Sequence, residues 1–358
     1  MDDNVGACLD YGLGVDRVLR VGVRCDVGVR RGVGHVMRSL AFAEELRGRG
    51  VEVVFVCDSH IVPWVDEQLR ARGIPVEAAV WLPAEHVELA KRLRLDAVVF
   101  DSYDLPGEVF SAVRRSGVPT LAIVDGDLRG ADADVVVDQN LGSELDQPKL
   151  PKGAVRLAGL DYVLLRDEVL SLRPAEPPAA QASAVPKVFA FFGGTDAYGA
   201  GPYVVQALAA TGVPFEATVV APGDNLAAGI DAVPLGPGQR VEVIRPTSQL
   251  AKLVVESDLV ISASGTSTWE LLCLGATAGL VCVVDNQAMG YERAVATGAA
   301  AGVGTLAELK ADPTTAAAVL RTLLTNPQER AQLARAGWKL VDGRGRARVA
   351  DALIHLIS

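Results

Sequence analysis

VLRVGVRCDVGVRRGVGHVMRSLAFAEELRGRGVEVVFVCD, Val18 to Asp58, decides the fold. Residues 18–26 alternate Val and Leu with polar positions and read as a strand. Gly32 and Gly34 make a tight turn that opens a helix. Val36, Leu40, Ala43 and Leu46 lie at helical spacing, and Gly48 and Gly50 end the pattern. Residues 51–58 then give a second strand. Strand, glycine turn, helix and strand in succession make a βαβ unit, the building block of a parallel sheet.

The same alternation continues outward. Helices are expected at 61–72, 84–94 and 106–115, with strands at 96–101, 120–125 and 135–140. Arg173 to Lys187, RPAEPPAAQASAVPK, carries four Pro and five Ala with no periodicity and reads as a semi-extended linker. The alternation restarts at 187–194 and runs on through strands at 215–221, 241–246, 259–264 and 279–287. Helices fall between them, at 198–210, 247–256, 265–275 and 289–298, and fill much of 313–358. At 358 residues the chain is about twice a typical domain of ~150, in keeping with two units. The expected organisation is an extension over 1–17, a first Rossmann-like unit over 18–172, the linker over 173–187, and a second unit over 188–358. The fold class is α/β, with two parallel sheets facing across a cleft.

Composition narrows the function. Half the residues are apolar and 22% are charged, a globular mixture. The net charge of −10 disfavours nucleic acid as a partner. No apolar run reaches the ~18 residues of a membrane span, and the acidic N-terminus lacks an export signal. A cytoplasmic protein is expected. Cys8, Cys25, Cys57, Cys273 and Cys282 show no zinc spacing and read as reduced, mostly buried thiols. No oligomeric state follows from the pattern.

In such folds ligands meet the chain just after strands. Arg24-Cys25-Asp26 is followed by Gly32-Val33-Gly34-His35 and Arg38. The glycines let backbone N–H groups approach a ligand, and His35 has the basicity for proton transfer at neutral pH. A plain glycine turn with a His at the start of a helix fits the same residues. Phe192-Gly193-Gly194-Thr195-Asp196 and Ser262-Ala263-Ser264-Gly265-Thr266-Ser267-Thr268-Trp269-Glu270 are strand-to-helix turns rich in Gly, Ser and Thr. Both suit a diphosphate, or serve only as capped turns. Glu270 has two oxygens suited to a ribose diol, or offsets its helix dipole. Asn286 and Gln287 end a strand and can position a sugar or base through paired donors and acceptors. Asp101-Ser102-Tyr103, Asp125-Gly126-Asp127 and Asp138-Gln139-Asn140 end three more strands, and their convergence argues for a site. His60, His86 and His355 read as surface or packing residues. No metal-binding spacing is present, so neither a metal nor another cofactor is expected.

Taken in order, the segment running from Arg24 through GxGHVMRSLAFAEEL, then DSYDL, IVDGD, AGLDYVLLRDE (158–168), FGGTD, ISASGTSTWELLCLGA and VVDNQ, resembles the UDP-sugar hydrolases of pseudaminic acid biosynthesis. The related spore-coat polysaccharide proteins share the pattern. The resemblance covers about Val21 to Gly298, and DGRGRARV (342–349) is similar to the family's C-terminal helix signature. It implies a GT-B fold whose last helix crosses back to the first unit. It also implies hydrolysis of a UDP-sugar, with His35 as catalytic base. Glu270 is implied at the uridine, with Gly193, Gly194, Thr195, Ser264, Gly265, Thr266, Ser267 and Thr268 around the nucleotide. Asp101, Tyr103 and Asn286 are implied on the sugar side, and Tyr162, Arg166 and Glu168 match a further family segment; Tyr162 and, from the motif reading, Arg24, Asp26, Gly34, Arg38 and Gln287 join the sugar-side candidates. Many members carry His where this chain has Ser102. The alternative on the same fold is a glycosyltransferase with an acceptor hydroxyl as nucleophile. A binding module without turnover is the third reading, and the retained His35 argues against it.

Overall fold

The computed structural model describes residues 17–28 and 34–357. Of the features expected from sequence, residues 1–16 of the extension with Cys8, and Gly32 and Val33 of the first glycine turn, lie outside the described residues.

Seven strands form the first sheet: β1 (Arg20–Cys25), β2 (Glu52–Val56), β3 (Val76–Glu77), β4 (Ala97–Asp101), β5 (Thr120–Ile123), β6 (Val135–Asp138) and β7 (Val155–Ala158). The second has six: β8 (Lys187–Phe191), β9 (Phe215–Val220), β10 (Gln239–Ile244), β11 (Leu259–Ala263), β12 (Ala278–Cys282) and β13 (Ala301–Thr305). Helices of the first half are α1 (Gly34–Gly48), α2 (Pro63–Ala71), α3 (Pro83–Leu93), α4 (Gly107–Arg115) and α5 (Asp167–Leu170). The second half contains α6 (Gly201–Ala210), α7 (Asp224–Asp231), α8 (Leu250–Val255), α9 (Ser267–Cys273) and α10 (Ala288–Ala296). It continues with α11 (Leu306–Ala311), α12 (Ala317–Thr325), α13 (Pro327–Leu340) and α14 (Gly345–Ile357). The sheet orders are β3-β2-β1-β4-β5-β6-β7 and β10-β9-β8-β11-β12-β13. Every strand pairing is parallel. In both sheets the order reverses beside the first strand of the half, and the loops flanking that reversal form the ligand crevice of such sheets.

Helices cover both sheet faces, so the strands are buried throughout their middles and read as near-continuous Val, Ala, Ile and Leu. Val21, Val23 and Cys25 of β1 face the cluster that includes Leu40, Phe42 and Leu46 of α1. On the opposite face, Gly22 leaves room for Leu95, whose Cδ1 would lie 2.5 Å from a Cβ added there. β3, β7, β13, α5, α7 and α11 have no counterpart in the sequence reading. β3 is two residues long, β7 is a four-residue edge, and β13, AGVGT, contains two glycines. These are weak local signals that neighbouring strands complete.

The boundary between the halves is interleaved. Leu160, Val163, Leu165 and Val169 pack into the core of the second sheet with Phe189, Phe191 and Trp269. The sequence reading assigns 160–172 to the first unit. Conversely Val349, Ala350 and Leu353 of α14 are fully buried in the core of the first sheet. The two crossing segments touch at Gly345, where an added Cβ would lie 2.3 Å from the Val163 carbonyl oxygen. The proline-rich stretch has no helix or strand before Lys187, where β8 begins, but it is fastened to the second half. Arg173 donates to the carbonyls of Cys273 (2.9 Å), Trp338 (3.1 Å) and Asp342 (3.2 Å). Trp338 Nε1 donates to Pro174 O at 3.0 Å, and Arg330 Nη2 to Gln181 O at 2.9 Å. Among the described residues no helix is long and apolar enough to cross a membrane.

Candidate active site

At the C-terminal edge of the first sheet, Asp101 closes β4 with 0% exposure. Its carboxylate is the hub of the site. His35, in the first turn of α1, donates from Nδ1 to Asp101 Oδ1 at 2.5 Å. Arg38, one turn on, donates from Nε to Oδ2 (2.7 Å) and from Nη2 to Oδ1 (2.6 Å). Ser39 Oγ adds a bond to Oδ2 at 3.1 Å. Burial works to raise the Asp101 pKa, but Arg38 and His35 outweigh it and hold the group ionised, below the usual carboxylate range. An ionised Asp101 fixes the histidine proton on Nδ1. In the neutral imidazole that leaves the lone pair on Nε2, which has no hydrogen-bond partner among the described residues. Arg38 Nη2 also lies 3.3 Å from His35 Nδ1. Both groups are donors to the same carboxylate oxygen, which accounts for that proximity.

Arg38 carries the network on to two further strand ends. Its Nη1 donates to Asp125 Oδ1 at 2.8 Å. Asn140 Nδ2 bridges Asp125 Oδ1 and Asp138 Oδ1, at 2.9 Å each. The Tyr103 hydroxyl donates to Asp125 Oδ2, and its ring meets the His35 ring edge-on, with centroids 4.4 Å apart. Burial opposes ionisation of Asp125, yet Arg38, Tyr103 and Asn140 together pull its pKa far down. Burial and the Asp125 charge push the Tyr103 hydroxyl well up, so it stays a donor. Asp26 accepts from Ser102 Oγ (2.9 Å), Tyr103 N (2.8 Å) and Arg24 Nη1 (3.2 Å).

The facing edge of the second sheet is built from other material. Gly193, Gly194 and Thr195 follow β8 and are exposed. Gly193 has φ +68°, a conformation that glycine adopts without a Cβ clash. Asp196 is taken up in capping α6, where it accepts from Ala200 N (2.8 Å) and Gly201 N (3.0 Å). Ser264 to Thr268 follow β11 and open α9. The buried hydroxyls of Ser262 and Thr268 have no hydrogen-bond partner among the described residues. Gln287 Oε1 accepts from Val283 N at 3.0 Å. That bond turns its amide nitrogen toward Gly265, 3.7 Å from where a Cβ would stand. Asn286 is exposed. The two edges meet: a Cβ on Gly34 would lie 3.3 Å from Thr266 Oγ1. Glu270 Oε1 accepts from Arg166 Nη2 at 3.0 Å, and Arg166 also pairs with Glu168.

His35, Tyr103, Gly34, Asp26, the two glycine turns, Glu270, Asn286 and Gln287 therefore line or border one cleft. Four expected sugar-side residues do otherwise. Asp101 and Arg38, at 0% and 4% exposure, are sealed beneath His35 and saturated by one another, so they hold the base and cannot touch a sugar in this arrangement. Arg24 is 1% exposed, on the opposite face of β1 from α1, beneath the Trp81 ring at 4.8 Å. Tyr162 is half-buried and packs against the first core alongside α14. The network also takes in Asp125 and Asn140 of the polar strand ends, together with Ser39, which the sequence reading does not single out, and Arg166 of the 158–168 segment reaches Glu270. Asp125 and Asn140 stand at strand ends that the sequence marks as polar. Arg166 is a lone cation closing the apolar run YVLL. Of the histidines outside the motif, His86 is a packing residue: buried, it donates from Nδ1 to Leu82 O at 3.0 Å. Cys25, Cys57, Cys273 and Cys282 are buried free thiols. Among the described residues no group of three or more His, Cys, Asp or Glu is placed to hold a metal ion.

Two parallel-sheet Rossmann-like units with a crossing C-terminal helix define the GT-B fold, and known structures share it. Acinetobacter baumannii MurG superposes with a TM-score of 0.73 at 19% identity, over 94% of this chain and 99% of that one. The Staphylococcus aureus MnaA–UDP structure does so at 0.66 and 12%, over 95% and 97%. In sequence, the chain is 24% identical over 359 residues to the spore coat polysaccharide biosynthesis protein SpsG of Bacillus subtilis, covering 94% of this chain and 98% of that protein. It is 27% identical over 361 residues to the UDP-N-acetylglucosamine–N-acetylmuramyl-(pentapeptide) pyrophosphoryl-undecaprenol N-acetylglucosamine transferase of Xanthomonas euvesicatoria, covering 90% and 78%. An uncharacterized Methanocaldococcus jannaschii protein is 23% identical over 272 residues, 72% of this chain, which spans about half (54%) of that protein's length. No family model matches the chain.

Proposed function

We propose that the protein is a UDP-sugar-dependent glycosyltransferase in which His35 is the general base. One observation carries this reading: an imidazole locked through Nδ1 onto a buried, ionised Asp101, with Nε2 left unpartnered at the cleft. That is the arrangement of a base oriented by a carboxylate. In the reaction Nε2 takes the proton of an acceptor hydroxyl. The acceptor oxygen forms its bond to the anomeric carbon while the bond from that carbon to the UDP oxygen breaks. Asp101 stabilises the imidazolium. UDP departs against the N–H and hydroxyl donors of Gly193–Thr195 and Ser264–Thr268, with Glu270 on the ribose. Those donors suffice for the leaving diphosphate in this reading without a metal ion. UDP as the nucleotide is supported by two fold neighbours solved with it, MnaA and the Arabidopsis thaliana UGT89C1.

A second reading, hydrolysis, keeps every residue in its role and puts water in the place of the acceptor. The ordered motif match to the pseudaminic-pathway hydrolases favours it. Incubating the protein with a panel of UDP-sugars, with and without acceptors, while following UDP release separates the two. Release that depends on an acceptor supports transfer, and equal release in water alone supports hydrolysis. No release from any UDP-sugar, together with no UDP binding by calorimetry, overturns both.

A further inference from the structure

The cleft beside His35 holds a cation that the proposed reaction does not use. Arg38 is saturated by Asp101 and Asp125, and Arg24, 1% exposed, has its charge paired with Asp26 on the far face of β1. Arg129 differs: it is exposed, and no carboxylate among the described residues pairs with it, in a chain of net charge −10. Its guanidinium carbon sits 3.8 Å from the centroid of the Tyr103 ring, the same ring whose centroid is 4.4 Å from that of His35. Stacking on an aromatic face holds the guanidinium plane while leaving its edge N–H groups free to donate.

The backbone presents Arg129 firmly. Its φ is +49°, a left-handed conformation that a non-glycine residue adopts only when its surroundings impose it. Those surroundings are visible. Arg129 N donates to Asp127 Oδ1 at 2.9 Å, and Gly126 N to Asp138 Oδ2 at 2.9 Å. Gly130 packs so tightly on α4 that a Cβ on Gly107 would lie 2.5 Å from its carbonyl oxygen. A positioned, unneutralised guanidinium with a planar donor edge matches an oxyanion. In the proposed function the nucleotide diphosphate belongs to the second half, so this cation calls for a second anion on the first half.

We infer that Arg129 is a specificity residue that receives a phosphate or carboxylate carried by the acceptor, beside the hydroxyl that His35 deprotonates. The inference rests on the proposed nucleotide-sugar reading and names the acceptor class.

The test uses the whole protein saturated with UDP. The His35 ring resonances are followed by NMR while inorganic phosphate, acetate, or chloride at matched ionic strength is added. A saturable shift with phosphate or acetate, absent with chloride, is expected. In Arg129→Gln its midpoint should move at least tenfold higher, and Arg129→Lys should restore part of it. The anion that saturates first tells phosphate from carboxylate. No saturable shift beyond chloride, or an unchanged midpoint in Arg129→Gln, overturns the inference. UDP affinity, measured separately by calorimetry, should be equal in all three proteins. If UDP fails to bind the wild type, the nucleotide reading falls. The anion titration on the free protein, with the same variants, then decides the Arg129 site alone.

Discussion

The two edges that face each other across the cleft are opposites in construction. The first-sheet edge is dense with buried charge that satisfies itself: Asp101, Arg38, Asp125, Tyr103 and Asn140 form one network through three strand ends. The second-sheet edge is rich in glycine, serine and threonine, with exposed turns and unpartnered hydroxyls, and Glu270 beside it is held from the first half by Arg166. One edge is finished before any ligand arrives and holds a single imidazole in register. The other is left for a ligand that brings its own charge. Pre-organisation of the reacting group and capacity for the anion are thus divided between the halves.

If that division holds, changes on the two edges must fail in different ways. The largest effect is expected for His35→Ala and His35→Asn. Turnover should drop about 10²–10⁴-fold, the usual worth of a general base, while calorimetric UDP affinity stays at the wild-type value. A loss of UDP affinity as large as the loss of turnover breaks the division of labour.

Asp101→Ala attacks the network rather than the base and leaves Arg38 buried with Asp125 alone. Breaking a buried pair costs about 3–5 kcal/mol, so denaturant unfolding should show a loss of that order. A loss under about 1 kcal/mol, the range of exposed ion pairs, would mean that the cluster is hydrated. Glu270→Ala is the counterpart on the open edge. It should weaken UDP binding by roughly 1.5–3 kcal/mol, the worth of hydrogen bonds to a charged group, with stability little changed. Unchanged UDP affinity removes Glu270 from the site.

The smallest effect is read in pH. Asp101 and Asp125 have folded pKa values below their ordinary ones. In the unfolded chain they take up protons near pH ~3.9, while the folded protein holds out to lower pH. The unfolded state therefore binds more protons in that window. The stability these groups add is full above pH ~4 and is lost as pH falls below it. Stability measured from pH 6 down to 3 should fall less steeply in Asp101→Asn than in the wild type. Equal slopes would show that the carboxylate is not held ionised by its partners.

Much of this architecture is legible in the sequence. The βαβ alternation, the βα turns and the strand-end polar residues are local features. Hydrophobic period and glycine placement are fixed within a few neighbours, so β1, α1 and β2 and the turns at 193–195 and 264–268 read correctly. What could not be read was which side chains satisfy one another. Asp101 looked like a sugar contact and is a buried support for His35, because α1 lies across the end of β4 and joins residues 66 apart in the chain. Arg166 and Glu270 are 104 residues apart and meet only because 160–170 packs into the second core. Sequence alone determined the type of each edge, since backbone conformation and residue chemistry are local. Only the tertiary structure decided whether a polar residue faces the cleft or supports another from beneath, since burial and pairing depend on how distant elements pack.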